Sequence, residues 1–125
     1  MTEKFEIYKC QICGNVVQVL LNGVGDLVCC GEKMEHLSPQ FKEDEIGEKH
    51  VPEFVEEDGK VFVKLQKHPM SEDHYIQFIE AISEDKTELR LKYLYPNQTA
   101  DFEITGFSSN EVLELCNIHN LWRSK

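Results

Sequence analysis

Four of the five cysteines stand near the start of the chain, as Cys10-Gln11-Ile12-Cys13 and, after fifteen intervening residues, the adjacent pair Cys29-Cys30. Two such clusters read as a tetrathiolate metal site. Residues 1–37 are too few to bury a self-sufficient core, so the metal must hold this part of the chain together. Gly14 and Gly31 directly follow the clusters and allow the tight turns that aim backbone amides at sulfur. A redox dithiol beside a buried pair fits the two-cluster spacing less well. Zinc and iron both accept four thiolates, and the adjacent pair should distort a tetrahedron about either one. Short strands are expected at Phe5–Tyr8 and Val16–Leu21, the second closed by the Asn22-Gly23 turn signal.

The segment 38–47, Ser38-Pro39-Gln40-Phe41-Lys42-Glu43-Asp44-Glu45-Ile46-Gly47, is acidic and lacks sustained periodicity, and it reads as a linker. Domains are therefore expected at 1–37 and 38–125. Beyond the linker, apolar residues alternate in short runs: Val61, Val63 and Leu65; Ile76, Phe78 and Ile82; Leu89, Leu91, Tyr93 and Tyr95; Ala100, Phe102 and Ile104. Turn signals separate the runs at Asp58-Gly59, Glu84-Asp85-Lys86 and Pro96-Asn97. This pattern, with no long helical stretch, favours a mainly β chain whose larger domain is an antiparallel β-sandwich of immunoglobulin-like type. With 41% hydrophobic and 29% charged residues the chain reads as soluble and globular, and its net charge of -10 disfavours nucleic acid and anionic lipid as partners. No apolar run approaches a membrane span and the first residues lack a secretory layout, so the expected location is the cytoplasm. There an odd number of cysteines speaks against a disulfide framework.

The remaining thiol, Cys116, lies three residues before His119 at the end of the apolar run Val112, Leu113, Leu115. On a helical turn that spacing puts both side chains on one face. The histidines are His36, His50, His68, His74 and His119. His36 reads as an exposed residue of the small domain. The other four sit at element edges in the second domain, and loops at one end of a sandwich converge in space.

The combination Tyr8-Lys9-Cys10 to Cys13-Gly14-Asn15, Leu27-Val28-Cys29-Cys30-Gly31-Glu32, Glu48-Lys49-His50-Val51-Pro52, His68-Pro69-Met70 with His74, and Cys116-Asn117 to His119 with Trp122 resembles desulfoferrodoxin, the two-iron form of superoxide reductase. These segments run from residue 8 to 122. The resemblance implies a desulforedoxin-like domain holding iron in Cys10, Cys13, Cys29 and Cys30. It also implies an immunoglobulin-like domain whose iron takes His50, His68, His74 and His119 in the equatorial plane and Cys116 as axial ligand. It departs from the family at Phe78, where many relatives have Trp. Five protein ligands leave one position open on an iron that prefers six, and there superoxide would be reduced to hydrogen peroxide without release of oxygen. Lys49 is expected to steer the anion and stabilise the developing peroxide charge, and Glu48 to occupy the sixth position in the oxidised enzyme. Homodimers joined through the small domain and a small electron donor such as rubredoxin are implied as partners. Two other readings use some of the same residues: a two-centre iron electron carrier, and a zinc-bound adaptor. The adaptor leaves the four-His, one-Cys set unexplained, because a closed zinc site needs four ligands.

Overall fold

The computed structural model describes residues Met1–Lys125 and divides into two compact units, Met1–Ser38 and Pro39–Lys125. In the smaller unit, β1 (Ile7–Lys9) pairs antiparallel with β2 (Val16–Gln18), while β3 (Val28–Cys29) and β4 (Glu32–Lys33) form a separate two-stranded hairpin. The last strand, β5 (Glu35–Leu37), pairs with the other edge of β1. The buried apolar side chains here are Ile7, Cys10, Val19 and Leu37, a core of which one member is itself a thiol. Strand β2 stops three residues short of the expected Leu21. Val19 turns inward to bond Phe5 and Glu6 backbone groups, and Leu20 and Leu21 are left exposed.

The larger unit opens with a short helix, α1 (Glu45–His50), followed by β6 (Glu53–Glu57) and β7 (Lys60–Lys64). Asp58 and Gly59 join these strands as a two-residue loop, with φ of 50° and 78°, so the Asp-Gly signal forms the tight hairpin it specifies. Then follow β8 (Ile76–Ser83), β9 (Leu89–Tyr93), β10 (Asp101–Glu103), β11 (Ser109–Cys116) and β12 (Asn120–Arg123). They assemble as two antiparallel sheets, β10-β7-β6 and β12-β11-β8-β9, which make a β-sandwich. Val63 and Leu65 from one sheet meet Ile79, Ala81 and Val112 from the other in the core, closed by Leu94, Ile104 and Phe107. Burying these side chains contributes roughly 1.5–3 kcal/mol each, relative to exposure.

Three local expectations change. Strand β11 continues to Cys116, with an irregularity in its pairing with β8 between Leu115 and Cys116, and residues 117–119 form the turn of a hairpin with Cys116 opposite Asn120, so the thiol and His119 do not share a helical turn. Both faces of β11 are buried, and a two-sided strand shows a continuous apolar run in place of alternation. The stretch 38–47 is more ordered than a linker: Gln40 bridges Trp122, and α1 starts at Glu45. Strand β8 is buried on both sides as well, with Ile79, Glu80 and Ala81 inside beside the expected Ile76, Phe78 and Ile82.

Helix α1 depends on its first turn. Asp44 caps it by accepting a hydrogen bond from the Gly47 amide at 2.9 Å, and Gly47 packs directly on the Lys42 backbone carbonyl, where a Cβ would overlap it. Gly47→Ala is therefore expected to lower stability by about 1 to 3 kcal/mol. Urea unfolding at matched metal content checks this, and an unchanged midpoint would mean that the close approach is not needed.

Candidate functional site

The first cluster is built by two turns. Gly14, at φ 86°, closes the turn after Cys13, bringing the Cys13 amide to 3.5 Å from Cys10 Sγ. Across from it, Cys30 (φ 54°) and Gly31 (φ 77°) both lie in the left-handed region. That backbone is how two neighbouring residues aim both sulfurs at one point, at a conformational cost for the non-glycine Cys30. The four sulfurs lie within 4.8 Å of one another, with Cys13 and Cys29 Sγ 3.6 Å apart and Cys29 and Cys30 Sγ 3.9 Å apart. The Asn15 side-chain amide adds a donor 3.7 Å from Cys29 Sγ.

The Cys13 and Ile12 amides hold the Cys10 thiol down to about 6. Hydrogen bonding with Cys13 and Cys10 pushes Cys30 up to about 12, and bonding with Cys13 raises Cys29. One thiolate forms readily while its neighbours keep their protons, which a cation would displace.

The second cluster gathers side chains from α1, from the loop between β7 and β8, and from the β11–β12 turn. The ligating atoms of His50, His74, Cys116 and His119 lie within 4.8 Å of one another. His68 adjoins them, its Nε2 3.5 Å from Cys116 Sγ and its ring centroid 4.9 Å from that of His50 and 4.5 Å from that of His74. His119 Nδ1 is 3.1 Å from His74 Nε2 and 3.9 Å from Cys116 Sγ. The structure thus brings together all five residues expected here.

Their orientations are set by surrounding groups. His50 Nδ1 lies 2.8 Å from the Ile46 carbonyl one helical turn back, an acceptor that assigns the proton to Nδ1. Its Nε2 is left buried with no partner. Trp122 stacks on the His50 ring at 4.9 Å and donates from its indole nitrogen to the His119 carbonyl at 2.9 Å. Gln40 Nε2 donates to the same carbonyl at 2.8 Å. Asn117 accepts from the Tyr75 amide at 2.9 Å and donates to the Asp73 carbonyl at 3.1 Å, tying the turn that carries Cys116 and His119 to the segment that carries His74.

Electrostatically this is a site for neutral imidazoles. Burial depresses His50, His68 and His74, with His68 down to about 3, and the Lys49 charge pushes all three the same way. Burial raises the Cys116 thiol, against the amides of His119 and Ile118, which favour its thiolate. Glu114, two residues before it on β11, is fully buried with both carboxylate oxygens unpartnered, and burial holds it well above the usual carboxylate range. An orphaned imidazole nitrogen amid neutral imidazoles and a thiol fits a transition metal. Lys49 and Glu48 are both exposed on α1, and Glu48 Oε2 pairs with Lys67 Nζ at 3.1 Å. His36 lies apart from both clusters, in β5, with its Nε2 3.2 Å from Glu6. Reading the sequence missed Gln40 and the Glu114 carboxylate, neither of which has a local signal. It had Asn117 only as part of a motif, without a role.

Residues 2–37 match the family profile "Desulfoferrodoxin, N-terminal domain", and residues 42–125 match "Desulfoferrodoxin". The chain is 43% identical over 127 residues to a desulfoferrodoxin homolog of Archaeoglobus fulgidus, covering 99% of each. It is 41% identical over 128 residues to the desulfoferrodoxin of Desulfarculus baarsii, covering 100% of this chain and 99% of that one. A crystal structure of the superoxide reductase from Treponema pallidum superposes with a TM-score of 0.72 at 21% identity over the whole of both chains, which shows a shared fold. The four-cysteine and His-Cys clusters correspond to the two iron centres of a desulfoferrodoxin.

Asn117→Ala removes both side-chain ties to the His74 segment, leaving the bond from the Asn117 amide to the Tyr75 carbonyl, and is expected to weaken metal binding at the His-Cys cluster by about 10-fold while sparing the four-cysteine cluster. Competition with a chelator, followed separately at the two absorption bands, measures this, and equal loss at both sites would contradict it. A second expectation concerns pH. A folded-state pKa of His68 below its unfolded value gives stability that is present above about 6.5 and lost as pH falls toward 3. In chelator-treated protein, the unfolding free energy relative to His68→Gln should thus fall by up to about 1.4 kcal/mol per pH unit below roughly pH 6. A difference that stays flat between pH 7.5 and 4 would refute it.

Proposed function

Because the chain belongs to the desulfoferrodoxin family, we propose that it is a superoxide reductase, converting superoxide and two protons to hydrogen peroxide by a one-electron reduction that releases no oxygen. The observation that carries this reading is the convergence of His50, His68, His74 and His119 on Cys116, with the His50 Nε2 buried and without a partner. Iron, when bound there, supplies the electron and, against five protein donors, one coordination position for the anion. Every other part of the task falls to this chain. Cys116, as thiolate, is the electron-rich donor, and the amides of Ile118 and His119 favour that thiolate. Burial favours the neutral forms of His50, His68 and His74, so their nitrogens are available as ligands. Trp122, itself 1% exposed, covers one face of His50 and keeps water from it.

Lys49 draws superoxide toward the site and stabilises the charge that develops on peroxide. What supports this role is its exposure on α1 next to His50 and the reach of its charge to His50, His68 and His74, in a chain of net charge -10. Glu48 would supply a carboxylate to the iron in its oxidised form and so help product leave. With all four positions filled by protein, Cys10, Cys13, Cys29 and Cys30 give the first iron no place for substrate and leave it structure and outer-sphere electron transfer. The domain division that goes with this function is 1–37 and 38–125, the latter including the 38–47 connection. Homodimers form through the small domain, a reading supported by its exposed Val16, Val17, Leu20, Leu21, Val24 and Val28. A small electron donor such as rubredoxin returns the electron. The protein works in the cytoplasm, and no helix is long and apolar enough to cross a membrane. The electron-carrier reading gives Lys49 no task.

Anaerobic pulse radiolysis of the reduced, iron-loaded protein tests the function. A fast visible transient that decays to a ferric species, with close to one peroxide per oxidised second iron, is the expected result. No reaction with iron in both sites would favour the electron carrier. Lys49→Ala should slow the second-order step by about ten-fold at low ionic strength and flatten its salt dependence, and an unchanged rate with unchanged salt dependence would eliminate the steering role.

A further inference from the structure

The residues next to two of the histidine ligands are themselves paired. Glu48, two positions before His50, and Lys67, one position before His68, form an ion pair of 3.1 Å between side chains that are 60% and 66% exposed. Their neighbours, the His50 and His68 rings, meet edge to face at 4.9 Å, so the ion pair spans the same two segments as the ligands do. Charge sharpens the point. Lys49, Glu48 and Lys67 together sum to one positive charge in a chain whose net charge is -10. Without Lys67 that local sum is zero, and the Glu48 carboxylate loses its partner.

We propose that Lys67 is a positioning residue that holds the Glu48 carboxylate out in solvent and so keeps the surroundings of the His-Cys site open to anions. This deepens the reading of that site as an iron centre that takes superoxide, and rests on it. An exposed pair is weak, so Lys67 biases Glu48 without locking it, by a factor of about two to five in the population held outside. Weakness suits the role, because a carboxylate that must reach the site at one stage and stay away at another has to be released by small energies. The pair is also sensitive to salt, since both partners are exposed to screening.

Azide serves as the test anion, because it binds without turnover and can be titrated optically against the oxidised, fully iron-loaded protein. At low ionic strength Lys67→Gln should raise the azide Kd by about two- to five-fold, Lys67→Arg should leave it near that of the parent, and about 0.5 M salt should erase the difference. In a Glu48→Gln background the same Lys67→Gln change should have a smaller effect, because the carboxylate that Lys67 restrains is gone. Equal Kd values for the parent and Lys67→Gln at low salt would overturn the proposal. So would a Lys67→Gln effect of the same size in both backgrounds, which would mean that Lys67 acts by its own charge and not through Glu48. If azide perturbs neither the parent nor any variant, the anion-site reading itself fails, and the inference with it.

Discussion

Gathering four imidazoles and a thiol, three of the five side chains buried, is unfavourable unless something binds their lone pairs. His50 Nε2 has no partner within the protein, His68 is held neutral down to about pH 3, and burial resists ionisation of Cys116. The orphaned His50 Nε2 costs about 1–3 kcal/mol, whereas His68 and Cys116 keep weak contacts with each other and with nearby amides. A metal ion engages all three at once. Hence the sandwich does not merely carry the site. Its larger sheet, the short helix and the β11–β12 turn are held in a mutual arrangement that a bound ion makes more favourable.

The support around that arrangement is mostly backbone-directed. Ile46 accepts from His50, Gln40 and Trp122 converge on the His119 carbonyl, and Asn117 joins the turn to Tyr75 and Asp73. A ligand fixed through main-chain contacts moves only when its whole segment moves, which is a firmer constraint than side-chain packing alone. The small unit solves a similar problem with fewer means. It has almost no apolar core, so two left-handed turns and a set of amides aimed at sulfur do the work that buried side chains do in the larger unit.

Much of this was legible in the sequence, for identifiable reasons. Ligating side chains have few substitutes, so Cys10, Cys13, Cys29 and Cys30 could be picked out by residue type and spacing, whereas Cys116 and the four histidines became a ligand set through the family resemblance. Asp58-Gly59 declares its hairpin because few other pairs tolerate two positive φ angles. What escaped notice lacks a local signature. Helix α1 has six residues, too few for a helical period to show, and β6 carries Glu53, Glu56 and Glu57 around Phe54 and Val55, which blurs its alternation. The two-sided burial of β8 and β11 hides their period, and made the end of β11 look like a helical turn. Gln40 reaches His119 across 79 positions and Glu48 reaches Lys67 across 19, contacts that only tertiary structure creates.

The spacing of the ligands along the chain also sets an order of events. All four thiols of the first cluster have been made by residue 30, within the first compact unit, whereas the second cluster is incomplete until His119 exists. A chain emerging from the ribosome therefore presents all four sulfurs before the first residue of its imidazole site has been made. The two centres thus differ in how much of the chain each needs: the sulfur site lies within 21 consecutive residues, the imidazole site within 70.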